Sequence, residues 1–165
     1  MGCDIHLFVE KKIYNIIGFE KKEYWISIDK WTKNEYFHFY PNEPEWEVSI
    51  ENEMYSKRNY FLFSILANVR NKDNSIIPIS IPRGLPDDVT KEIKILSDYE
   101  GADGHSHSWL SVKEILEYNW NQEYFKDGKK YLYRDICSEF IDGFIPELLK
   151  IADPKDLRIV FWFDN

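Results

Sequence analysis

The last run of the chain, Leu157-Arg158-Ile159-Val160-Phe161-Trp162-Phe163, constrains the fold more than any other segment. Seven residues of nearly continuous apolar, β-prone character suit a strand covered on both faces, not one with a wet side. Such a strand needs neighbours in a sheet and a layer of structure above and below it. Residues 3 to 9 supply the natural partner. Cys3, Ile5, Leu7 and Val9 alternate with Asp4, His6 and Phe8, so one face enters a core and the other carries Asp4, His6 and Phe8. The terminal strand is therefore expected beside the first one, in the centre of the sheet.

The remaining segments fill in a pattern. Residues 23 to 31 read as a second strand, and residues 32 to 55 are aromatic but broken by Pro41 and Pro44. Residues 59 to 70 predict a helix capped by Asn59, with Phe61, Leu62, Ile65, Leu66 and Val69 as its apolar stripe. Asp87 or Asp88 is expected to cap another helix running to about residue 98. The stretch around 101–108, with no apolar residue larger than alanine, reads as a loop. Ser111 and Glu114 form a capping box for a helix to about Asn119, and residues 135 to 152 are helical with breaks at Gly143 and Pro146. Helices in the middle and strands at both ends predict an α+β fold. We expect a single domain over residues 1–165, with a small mixed sheet and about four helices from the middle and C-terminal half.

Length and composition bound the class. A chain of 165 residues with 44% apolar content, including six Trp, eleven Tyr and eleven Phe, has material for one core. No stretch approaches the roughly 20 apolar residues that span a bilayer, so no membrane partner is expected. No basic region followed by an apolar stretch opens the chain, so a secretory signal is not expected either. Cys3 and Cys137 form no disulfide framework, which points to a cytoplasmic setting. The net charge of −8 and the lack of clustered Lys and Arg argue against a DNA or RNA polymer as partner. A small anionic ligand remains compatible, because one or two well-placed arginines can hold a phosphate.

Two segments concentrate the chemistry. Asp4 and His6 sit at spacing two on a strand and share a face. Asp103-Gly104-His105-Ser106-His107-Ser108-Trp109 mixes imidazoles, hydroxyls, glycine and an indole. Asp4, His6, Asp103, His105 and His107 are the ligand types that hold zinc or manganese, with Glu10 and Asp164 as further carboxylates. Equally, His105, Ser106 and His107 could donate hydrogen bonds to a phosphate. Arg83, stiffened between Pro82 and Pro86, could clamp the same group; its bland alternative is an ion pair with Asp87 or Asp88. Arg58, at a helix entrance, is a weaker candidate of the same kind. Trp109 could stack on a flat ring.

Several motifs together carry a resemblance. They are Met1-Gly2-Cys3-Asp4-Ile5-His6, Arg58-Asn59-Tyr60 through Val69-Arg70, Pro82-Arg83-Gly84-Leu85-Pro86-Asp87-Asp88, His105-Ser106-His107-Ser108-Trp109-Leu110, and Arg158 to Asn165. The chain resembles, over nearly its whole length, a family of small proteins encoded by tailed bacteriophages and prophages. That resemblance implies a protein of the infected host's cytoplasm that counters host immunity. Three readings follow. The first is capture of a nucleotide second messenger by Arg83, His105, Ser106, His107, Trp109 and Arg58. The second is metal-dependent hydrolysis of a phosphoester through the five zinc or manganese ligand candidates. The third is protein–protein inhibition. Capture ranks first, no cofactor is required for it, and a homo-oligomer is left open.

Overall fold

The computed structural model describes residues 2–17 and 19–164 and shows an α+β fold. Four strands form the main sheet in the order β2-β1-β8-β5: β1 (Ile5–Ile17), β2 (Glu20–Ser27), β5 (His105–Ser111) and β8 (Leu157–Phe163). Two small antiparallel pairs accompany it, β3 (Thr32–Lys33) with β4 (Trp46–Glu47), and β6 (Glu123–Lys126) with β7 (Lys129–Leu132). The helices are α1 (Tyr60–Ala67), α2 (Lys91–Glu100), α3 (Val112–Glu117), α4 (Tyr133–Ile136) and α5 (Ile145–Leu149), the last preceded by a π-helical turn at Glu139–Phe144.

The terminal strand does what its composition requires. Every residue of β8 is buried, and it pairs antiparallel with β1 on one side and β5 on the other. Period-two alternation splits its side chains between two layers. Leu157, Ile159, Phe161 and Phe163 join Ile5, Leu7 and Val9 of β1 in the larger core, beneath α1, α3, α5 and the π turn. Val160 and Trp162 join Phe8 in a smaller core, closed by Ile93 and Leu96 of α2 together with Trp31, Val48, Leu85 and Val89. Arg158 lies on this second face.

Local signals account for the starts of α1 and α3. The Asn59 side chain accepts the Leu62 N–H, and Ser111 and Glu114 complete a reciprocal capping box. The start of α2 differs from expectation. Thr90, in extended conformation, is its N-cap, while Asp88 is drawn off to pair with Arg158. A buried guanidinium outcompetes a helix end for a carboxylate. The 101–108 loop also needs correction, because from His105 onward it is edge strand β5. Its main chain is held by the ladder to β8, a long-range pairing that no local apolar pattern announces. The β6–β7 hairpin was likewise not anticipated. No helix among the described residues is long and apolar enough to cross a membrane.

Candidate functional site

The N-terminal motif is a joint. Gly2 leaves room for the Arg58 guanidinium, which would sit 3.1 Å from a Cβ at that position. Arg58 forks onto Asp4, with Nε donating to Oδ1 at 2.7 Å and Nη2 to Oδ2 at 2.6 Å. That hydrogen bond and the guanidinium charge hold the Asp4 carboxyl below its usual range despite slight desolvation. Asp164 closes the other side. It accepts the Asp4 backbone N–H at 2.9 Å and lies 3.2 Å from His6 Nε2. Burial pushes the Asp164 carboxyl up, but the Asp4 and His6 hydrogen bonds outweigh it and the net direction is down.

His6 shares its corner with a carboxylate that sequence reading missed. Glu100, the last residue of α2, lies 3.5 Å from His6 Nδ1 and accepts the Trp162 indole N–H at 2.5 Å. His6 and His107 both stack on Trp162, at ring-centroid distances of 5.8 and 5.4 Å. Thus β8 brings the Asp4–His6 strand and the His-x-His segment to one indole. The bulge in β5 between His105 and Ser108, with Ser106 at a φ of 55°, then separates the paired imidazoles. His107 rests on Trp162, whereas His105 lies beside Phe163 at 6.1 Å and contacts the Ser106 hydroxyl at 3.0 Å. Burial lowers the pKa of His107 and favours neutral imidazole. The Nε2 atoms of His105 and His107 are buried without a hydrogen-bond partner.

These five metal-ligand candidates do not form a chelate. Asp4 is committed to Arg58, Asp103 is exposed on the turn after α2, and His105 and His107 pack on different rings. Among the described residues, no group of three or more His, Cys, Asp and Glu side chains could hold a metal ion.

Arg83 and Trp109 belong to a different place. The Pro82–Pro86 strap lies along β5, where the Gly84 N–H donates to His107 O and the Arg83 N–H to the Ser108 hydroxyl. Gly84 takes a φ of 79°, a conformation costly for any residue with a Cβ. Neither expected aspartate pairs with Arg83. Its guanidinium donates instead to Glu114 at 2.7 Å and to the Ser80 hydroxyl at 2.8 Å, and lies 5.1 Å from the Trp109 ring. Burial raises the Glu114 carboxyl, but hydrogen bonds from Arg83 and Ser111 turn the net shift downward.

Beside this strap lies a cleft of about 590 Å³ lined by Lys12, Trp25, Arg83, Trp109, Lys155 and Arg158, with Asp87 and Asp88 at its rim. Arg158 is its anchor. Its Nε donates to Glu10 Oε2 at 2.6 Å and its Nη1 to Asp88 Oδ1 at 2.6 Å, while the guanidinium sits 4.1 Å from the Trp25 ring. One charged residue inside an otherwise apolar terminal run was the signal for this buried ion pair. Lys155 lines the cleft without an ion-pair partner among the described residues.

The structure thus gathers His6, His107 and Asp4 at one end of the second sheet face. Arg83 joins Trp109 at a separate cleft, and Arg58 is placed in the N-terminal joint. No protein-family model, curated protein or solved structure matches this chain.

Proposed function

We propose that this protein binds a small phosphorylated, ring-bearing ligand of the nucleotide class and holds it without cleaving it. The observation that carries the reading is the convergence of Lys12, Arg83, Lys155 and Arg158 around two indoles in one cleft of an acidic chain. Two of the cations are already fixed by Glu114 and by Glu10 with Asp88. Arg83 therefore reaches the cleft with little rotamer entropy left to lose, while Arg158, 3% exposed, anchors its wall. Lys155 adds a charge without an ion-pair partner among the described residues, and the Trp25 and Trp109 rings supply flat apolar contact. In the setting implied by the resemblance to phage proteins, the ligand is a second messenger of host immunity.

The dispersal of Asp4, His6, Asp103, His105 and His107 favours capture over metal-assisted hydrolysis. A hydrolytic metal needs several ligands and an open position at one point. Calorimetric titration with cyclic di- and trinucleotides and cyclic ADP-ribose isomers, followed by heating and mass analysis of the released compound, tests the proposal. The expected result is one panel member recovered intact, with affinity reduced at least tenfold in Lys155→Glu and Arg83→Ala. A chemically altered product would transfer the assignment to the hydrolase. No binding by any panel member would retire the reading in favour of protein–protein inhibition.

A further inference from the structure

On the opposite side of the larger core, a second cleft of about 590 Å³ opens between α1, the 70–76 segment and the β6–β7 hairpin. Its walls are aromatic. Tyr124 and Tyr131 are directly opposed across the hairpin, so their rings share one face, and Tyr60 stands at the start of α1. Phe61 forms edge-on contacts with Tyr124 at 4.9 Å. None of the three tyrosine hydroxyls has a hydrogen-bond partner among the described residues.

The rim is cationic. Lys72 and Lys126 line the cleft without a carboxylate partner, against one acidic neighbour, Asp73. The Arg70 guanidinium packs over the Tyr60 ring at 5.3 Å and donates to Gly2 O at 3.1 Å. The loop that presents these groups is conformationally costly. Asn68, Arg70 and Asn74 have φ of 59°, 64° and 49°, all in the left-handed region, which is rarely adopted by a residue as bulky as arginine. The Asn71 side chain pins the loop, donating to Ile76 O and accepting the Ile76 N–H. Backbone held in such conformations by surrounding bonds is found where a binding surface is being shaped.

We propose that this cleft is a second binding site, independent of the Trp25–Trp109 cleft, for a flat-ringed ligand bearing one anionic group, a nucleoside monophosphate in chemical class. The ring lies against the Tyr124–Tyr131 pair, the phosphate meets Lys72 and Lys126, and the phenol hydroxyls hydrogen-bond to sugar or phosphate oxygens. A volume of this size accommodates one such molecule.

The probes are AMP, adenosine and inorganic phosphate, titrated into the ¹⁵N-labelled full chain and followed by amide chemical shifts. AMP is expected to shift amides of residues 70–76 and 124–131, and to bind at least tenfold more tightly than adenosine or phosphate. Lys72→Glu with Lys126→Glu, and separately Tyr131→Ala, should each weaken AMP at least tenfold. All three positions are exposed and leave the core intact. Lys155→Glu, in the other cleft, should leave these shifts unchanged. Absence of AMP shifts at 70–76 and 124–131, equal affinity for phosphate alone, or loss of binding through Lys155→Glu but not through the lysine pair would each overturn the proposal. The first proposal would be untouched, since its own readout is Lys155 and Arg83.

Discussion

Replacing Arg158 by methionine tests the ionic centre that joins the strap, α2 and the sheet. The Arg158 side chain is 3% exposed and that of Glu10 is 0% exposed. Glu10 spends one oxygen on Arg158 at 2.6 Å and the other on the Thr90 backbone N–H at 2.7 Å, at the N-cap of α2. Arg158→Met leaves the Glu10 carboxylate buried without its cation and frees Asp88 from β8. Removing one partner of a buried pair costs about 3–5 kcal/mol. For a chain of this size that corresponds to a melting temperature lower by roughly 6–20 °C. Glu10→Leu with Arg158→Met removes both charges at once. It should recover a large part of the loss, because apolar replacement of a whole buried pair is often close to neutral. Urea unfolding followed by far-UV circular dichroism, at constant m-value, supplies the free energies. A single-variant cost below about 1 kcal/mol, or strictly additive costs in the double variant, would refute the assignment of this pair as a coupled, desolvated unit.

Other outcomes follow from the same geometry. Burial pushes the Asp29 carboxyl up to about 6, against hydrogen bonds from Ser27 and Val9. The folded state therefore holds this proton more tightly than the unfolded chain. Stability should fall as pH rises from about 4 to 6, by ~3 kcal/mol at most, and Asp29→Asn should flatten that slope in urea titrations across the range. Asp4 and Asp164 have lowered values, so their contributions are present above 3.8 and lost as pH falls through their folded-state pKa; Asp164→Asn should weaken acid sensitivity in an acid-melt series. Gly104→Ala would place a Cβ 3.3 Å from the fully buried Trp162, and overpacking of this kind costs about 1–3 kcal/mol, measurable as a lower urea midpoint. Gly2→Ala meets only the movable tip of Arg58 and should shift the same midpoint little.

The elements legible in the sequence are those whose cause is local. The double-sided burial of β8 followed from its run of large apolar residues, and the α1 and α3 caps from Asn59, Ser111 and Glu114. Where the cause is a distant partner, the sequence was silent. The edge strand β5 has no apolar signature through His105-Ser106-His107-Ser108 and exists because β8 offers an open ladder. Thr90 rather than Asp88 caps α2 because Arg158, 70 residues away, claims the aspartate. The His-x-His spacing grouped His105 and His107 as ligand candidates in a loop, whereas in the edge strand the bulge at Ser106 turns the two rings apart.

The motifs that carried the resemblance turn out to meet one another. Gly2 and Asp4 close on Arg58, Arg70 reaches Gly2, and Gly84 ties to His107 while Asp88 holds Arg158. Distinctive residues in such a set are accounted for by joints built on a guanidinium fork onto a carboxylate, or on Gly84 at a φ that disfavours a side chain. The first cleft takes most of its lining from these motifs, Arg83, Trp109 and Arg158 among them, and adds Lys12, Trp25 and Lys155 from outside; the second is lined largely from outside them, by Lys72, Tyr124, Lys126 and Tyr131. Motif residues therefore fix the fold and supply part of the first cleft, and lysines and aromatic rings outside the motifs complete that cleft and build the second. Charge reversal at Lys155 or Lys126 should then change binding while leaving the melting temperature in place. The opposite pattern, stability lost and binding kept, belongs to substitutions of clasp residues that line neither cleft, such as Asp4→Ala.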